Sequence, residues 1–345
     1  MFKKIFKSKS NNTSNLTTIS RVETIDGFSI PAIIRNMDYH FTDLQVYKDG
    51  LVYCWDMVDL DLLKNKLDSN WLVTSIPDNE RISIFSLGNW KINNGVWDFN
   101  KTSFYDYIKR LIKELNPKLE NLHNCHGRTT KKKGNVNVSI HGIPKQNPYY
   151  VSNPDDTFPE REKGKRFSIF YKDLKGLIYL VDLSIYKNGI VELRNSPDKF
   201  EFNFSDLRKK IDDKTLISNL NTGDKVNVIG LGSFSIVSGQ GVDIEDKYNE
   251  LVDEFEIIKG NGSSLERCRK ALADYKQNPT SALKDKLRIS YESVPNHQRQ
   301  FVGDMDTKDF EVKYILYGEK AKKEWDEIYG EVGWEFPNFN IPDDN

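Results

Sequence analysis

One stretch of this chain occurs twice. Phe41 to Val52 reads FTDLQVYKDGLV, and Leu180 to Val191 reads LVDLSIYKNGIV. A repeated segment constrains the fold more than any single motif, because it fixes the unit from which the fold is built. In the first copy Leu44 and Val46 alternate with polar neighbours. Asp49-Gly50 interrupts, and Leu51-Val52 resumes the apolar run. An Asp-Gly or Asn-Gly pair between two β-type runs signals a hairpin, since both central residues of a type I′ turn need positive φ. The second copy keeps the signal as Asn188-Gly189, again after a Tyr-Lys pair.

The match extends both ways. Upstream, Phe28-Ser29-Ile30 resembles Phe167-Ser168-Ile169. Downstream, Leu60, Leu63 and Leu67 match Phe204, Leu207 and Ile211, at the three- and four-residue spacing of a helix. Arg81 to Ile92 matches Lys225 to Ile236, with Leu87-Gly88 answered by Leu231-Gly232. Glycines inside strand-like runs point to a bulge or sharp bend. Strands, a short helix and closing strands are the order of a small barrel of the OB or SH3-like kind. The expected fold class is therefore α+β: two tandem duplicated small β-barrel-like modules followed by a helical C-terminal domain.

The expected divisions are a flexible tail over 1–22, a first β-rich repeat with a helix over 23–125, and a linker with a basic patch over 126–164. The second repeat covers 165–240 and a mainly helical domain 241–345. Lys3, Lys4, Lys7 and Lys9 mark the tail as a solvated segment. The opening MFKKIFKSKS has no apolar core, so no secretory leader is expected. Net charge is −1, so no global field draws nucleic acid or acidic lipid. Three widely spaced cysteines make no disulfide framework and favour a reducing cytoplasm. The Lys, Asn, Ile and Ser content suits an AT-rich bacterial genome.

Candidate chemistry is sparse. Four of the six tryptophans fall near the first repeat, and Trp55, Trp71 and Trp90 are its candidates for stacking on a ligand, against the alternative that they fill the core. His123-Asn124-Cys125-His126-Gly127-Arg128 sets a thiol between two imidazoles. His123, Cys125, His126 and Arg128 are thus candidates for a nucleophile or zinc loop. No second ligand pair and no oxyanion motif accompanies them. Lys131, Lys132 and Lys133 form a basic run that fits a solvated loop better than a phosphate site. Val136, Val138 and Ile140 then alternate as a strand would. Asp304, Asp306 and Asp309 crowd one turn and are candidates for a metal, against the alternative of an Asp-rich turn, since nothing supplies the distal glutamate of a calcium loop.

Helices are expected at Ser103–Leu115, Val242–Lys259, from a Ser263/Glu266 capping box to Gln277, from Thr280 to Val294, and at Glu319–Tyr329. Leu265, Cys268, Leu272, Leu283, Leu287 and Tyr291 would form the seam of a helical hairpin. Val312 to Tyr317 reads as a strand.

Phosphate-binding loops, dinucleotide fingerprints, G-x-S-x-G, H-E-x-x-H and paired C-x-x-C motifs are absent from the sequence. The leading expectation is a non-enzymatic binding or adaptor protein with a protein partner and no cofactor, suited to work as an accessory in bacterial defence or immunity. An enzyme or metal site on the His123–Arg128 loop is the rival. Oligonucleotide binding through the first barrel is the third reading.

Overall fold

The computed structural model describes residues 25–120, 122–123, 130–133, 136–139 and 163–339. The chain runs through β1 (Gly27–Asn36), β2 (Asp38–Tyr47), β3 (Val52–Tyr53), β4 (Met57–Val58), α1 (Leu60–Asp68), β5 (Leu72–Val73), β6 (Arg81–Ile84), β7 (Gly88–Trp97) and α2 (Lys101–Leu115). A separate two-stranded ribbon, β8 (Thr130–Lys133) and β9 (Val136–Ser139), follows. Then come β10 (Gly164–Lys172), β11 (Ile178–Tyr186), β12 (Ile190–Arg194), β13 (Phe200–Asn203), α3 (Leu207–Asp212), β14 (Leu216–Ile217), β15 (Lys225–Val228) and β16 (Gly232–Gly241). Five helices of at least eight residues follow, together with one short turn of helix. They are α4 (Ile244–Lys259), α5 (Ser264–Gln277), α6 (Ser281–Glu292), α7 (Asn296–Arg299), α8 (Phe310–Tyr317) and α9 (Glu319–Tyr329).

The pairing scheme of the first half recurs in the second. β1 pairs β2 and β5, and β10 pairs β11 and β14, all antiparallel. β2 runs parallel to β6, as β11 does to β15. β6 and β15 turn back into β7 and β16. The register moves one detail of the expected match. Gly27 faces Tyr47 and Gly164 faces Tyr186, so Ser29 answers Arg166 rather than Ser168. A two-residue offset keeps every side chain on its own face, which is why the sequence tolerates either alignment.

Two separate barrels were expected. Instead β7 pairs antiparallel with β16, and the strands of both halves join one 14-stranded curled sheet. Gly88 faces Gly241, and Gly232 faces Trp97. A Cβ on Gly232 would lie 2.2 Å from the Val96 carbonyl oxygen, so these glycines mark a close backbone approach between the halves.

The curl has one interior and two covered outer faces. Ile33, Phe41, Ile82, Ile84 and Trp90 from the first half meet Phe170, Leu180, Val226 and Phe234 from the second in one core. On the outer face of the first half, Ala32, Ile34, Leu44 and Val46 pack under Leu63 and Leu67 of α1 and Phe104, Ile108 and Ile112 of α2. On the second, Ile169, Leu183 and Ile185 pack with Leu207 and Ile211 of α3 and with Leu251 of α4. Asn100 and Ser103 cap α2 reciprocally, and Asp59 caps α1 by accepting from the Leu62 amide.

Two local expectations need correction. The hairpins after β2 and β11 are not type I′ turns. Only Gly50 (φ 85°) and Gly189 (φ 86°) are left-handed, and the Gly50 and Gly189 amides donate to the carbonyls of Tyr47 and Tyr186. This is a type I turn followed by a left-handed glycine, the three-residue alternative that also matches strand twist. Phe310–Tyr317 is helix α8, not strand. Its Phe310, Val312, Ile315 and Leu316 are buried, and a short apolar run does not reveal its period. The helical hairpin is as expected: Cys268, Leu287 and Tyr291 are buried between α5 and α6, with Leu265, Leu272 and Leu283 packed against them. The Ser263/Glu266 capping box closes reciprocally.

Candidate functional site

The three tryptophan candidates separate. Trp90 is 0% exposed inside the shared core, edge-on to Phe170 at 5.2 Å, and cannot present its ring to a ligand. Trp55 and Trp71 come together instead, 6.1 Å apart and perpendicular. Trp55 is 43% exposed on the turn between β3 and β4 and holds φ at +64°. Its other neighbour is the His40 ring of β2 at 5.3 Å. Lys66 of α1 places its ammonium 3.7 Å from the centre of the Trp71 ring. At the tip of the β1–β2 hairpin, Met37 is 96% exposed and also left-handed, at φ 63°. Arg35, two residues before Met37, lies over the Tyr39 ring. Bulky residues in left-handed backbone cost free energy, and such positions concentrate where surfaces are used.

The other candidates do not assemble. His123 is exposed, its amide donates to the Asp49 carbonyl, and its Nε2 lies 3.7 Å from Asp49 Oδ2. A cavity of about 410 Å³ is bordered there by Lys48, Asp49, Asn116 and Glu120. Cys125, His126 and Arg128 lie outside the described residues, as do the tail over 1–22 and most of the linker expected over 126–164. Lys131, Lys132 and Lys133 belong to β8, so the run is strand rather than loop. Asp304 spends Oδ1 on the Asp306 and Thr307 amides and the Thr307 hydroxyl. Asp309 turns away to accept from the Tyr291 hydroxyl at 2.5 Å and to face Lys313 at 3.5 Å. Among the described residues no three His, Cys, Asp or Glu side chains converge to hold a metal. Cys54 and Cys268 are buried, and burial pushes both thiols up to about 11, which keeps them protonated.

A cavity of about 570 Å³ opens among α6 to α9, lined by Tyr291, Arg299, Asp309, Lys313, Lys320 and Glu324. Much of its polar wall is already paired. Lys313 reaches Glu324 at 2.7 Å, and Arg299 donates to the carbonyls of Val294 and Glu292. Burial and the bond to Asp309 push the Tyr291 phenol far above its usual range.

The sharpest charge cluster was missed from sequence. Asp43 of β2 and Asp182 of β11 both face the interior of the curl, and Arg166 of β10 joins them. Its guanidinium lies 2.7 Å from Asp43 Oδ2 and 3.4 Å from Asp182 Oδ2, and it donates to the Ser29 hydroxyl at 2.7 Å. Asn195 donates to Asp182 at 2.8 Å. Burial raises Asp43 against the pull of Arg166. Burial, then the charge of Asp43, pushes Asp182 up to about 7, against Arg166, Arg194 and Asn195. The signal was present: the repeat keeps Asp at matched positions, TDL and VDL, each directly before a fully buried leucine, Leu44 or Leu183.

Residues 16–119 and 152–262 match one family, and the chain belongs to it: it is described as a domain of unknown function, DUF7638. Residues 263–332 match a second domain of unknown function, DUF7639. No curated protein and no solved structure matches the chain. Among the described residues no helix is long and apolar enough to cross a membrane.

Proposed function

We propose that this protein is a non-enzymatic binding module that engages a protein partner through the surface around Trp55, with the two halves of its sheet as copies of one β unit. The observation that carries the reading is the exposed Trp55 ring, held in left-handed backbone against His40 and Trp71. Met37, 96% exposed at the tip of the adjoining β1–β2 hairpin, adds a residue type that protein interfaces favour. The matched surface of the second half lacks the two indoles: Arg194 stands where Trp55 does and Thr215 where Trp71 does. Divergence of one copy's surface while both keep their strand pairing supports a binding role for the first half.

The test is affinity purification of the full chain from its native host at near-physiological salt, in parallel with Trp55→Ala/Met37→Ala. A stoichiometric protein lost in the double variant supports the reading. Retention of that protein by the variant overturns the assignment of the surface. Nucleic acid in the eluate, released steeply by salt, overturns the protein partner.

A further inference from the structure

The carboxylates Asp43 and Asp182 come from different halves and both approach the Arg166 guanidinium across the curl. β2 and β11 are not hydrogen-bonded neighbours; β6, β7, β16 and β15 lie between them along the sheet. The only strand-to-strand ladder joining the two halves among the described residues is β7 with β16. On the other side of the interior, Arg166 spans the gap from β10 to Asp43 and Ser29.

We propose that Asp43, Arg166 and Asp182 form a proton-operated latch between the halves, closed when the carboxylate pair holds one proton and loosened when it holds none. With one proton, a single negative charge faces the Arg166 guanidinium, which is 31% exposed, and the cluster is neutral. With none, two carboxylates share one cation inside the protein. When two carboxylates approach one guanidinium, the charge of the first makes ionisation of the second more costly. Arg166 sits nearer Asp43, so the proton resides mainly on Asp182.

The groups facing the pair are few. β10 contributes Arg166, and β1 contributes Ser29. β12 contributes Arg194, opposite Asp182 in register, with Asn195 beyond it. Arg194 is itself held by Glu192 at 3.0 Å and by the Tyr186 hydroxyl at 3.2 Å. Asp43 Oδ1 is buried and has no hydrogen-bond partner, as expected if the cluster is short of donors.

The sign of the pH dependence follows. A carboxylate whose pKa is raised by closure stabilises the closed form at low pH. That contribution is lost as pH rises towards the closed-state value of about 7 for Asp182. From about pH 5 to about pH 7, local opening rises by at most about tenfold per pH unit, and it levels off above. This is opposite to the usual loss of stability on acidification.

The experiment is hydrogen exchange of the full chain between about pH 5 and pH 8, corrected for intrinsic exchange and read at the amides of β2, β10 and β11. The wild type should open more readily as pH rises to about 7. Asp182→Asn, which removes the group that carries the proton, should be flat, and Asp43→Asn, which removes the like charge beside it, should show a smaller rise than the wild type. A flat wild type overturns the latch, as does a pH dependence that survives in Asp182→Asn. Carbon-13 titration of the wild-type carboxyls needs no variant to fold: an inflection near neutrality supports the latch, and ionisation of both groups below about pH 5 overturns it.

Discussion

Asp253 of α4 binds both the amide and the hydroxyl of Ser264, the first residue of α5. Arg267, one turn into α5, approaches the same carboxylate at 3.3 Å. The carboxylate is buried, and it anchors the start of the helical region to the last helix packed on the sheet. Gly260 and Gly262 between them are both left-handed, so the connection itself is a tight reversal. Asp253→Ala removes the acceptor for two buried donors and should cost about 2–3 kcal/mol. It should also speed proteolytic cleavage near residues 260–262, and unchanged cleavage and denaturation would show that the contact anchors nothing.

The tryptophans should divide by burial. Trp90→Ala empties a site in the core shared by both halves and should cost about 3–5 kcal/mol in urea unfolding. Trp55→Ala deletes a half-exposed ring and should cost less than about 1 kcal/mol while relieving backbone strain only slightly. Equal costs would contradict the placement of the two rings.

Lys247 is 0% exposed on α4, yet its ammonium reaches the Ser86 carbonyl at 2.9 Å and Glu250 at 2.9 Å. Burial lowers its pKa, and Glu250 holds it up. Ser86 lies in the β6–β7 turn, so this side chain ties the second half to the first. Lys247→Met keeps the apolar stem but strands Glu250, and should cost about 3 kcal/mol. A neutral result would mean that Ser86, which also donates to Glu250 at 2.5 Å, suffices alone.

How far the sequence was legible depends on the range of each interaction. Caps, helices and the helical hairpin are local, and the Ser263/Glu266 box and the Leu265–Tyr291 seam announce them within a few residues. The strand pairs of each half follow from alternation and from the repeat. The joining of the halves does not, because a β7 edge that pairs with its counterpart looks the same in sequence as one that closes a barrel. For the same reason Trp90 reads as a candidate ligand contact until β16 covers it. The Asp43–Arg166–Asp182 cluster is legible only as two retained aspartates; the arginine between them lies where the matched residue is Ser29. The Val312–Tyr317 stretch misleads because six apolar-rich residues carry too little period.

The β7–β16 ladder also sets the order of assembly on the ribosome. Residue 88 must wait for residue 241 before its strand finds its partner. Until then the emerging first half carries a ten-residue strand with one unpaired edge, the kind of surface that recruits another chain. The late arrival of that partner makes the central pair a contact of long sequence separation, and such contacts slow folding. The nascent chain is therefore exposed to mispairing for longest at the strand on which both halves finally depend.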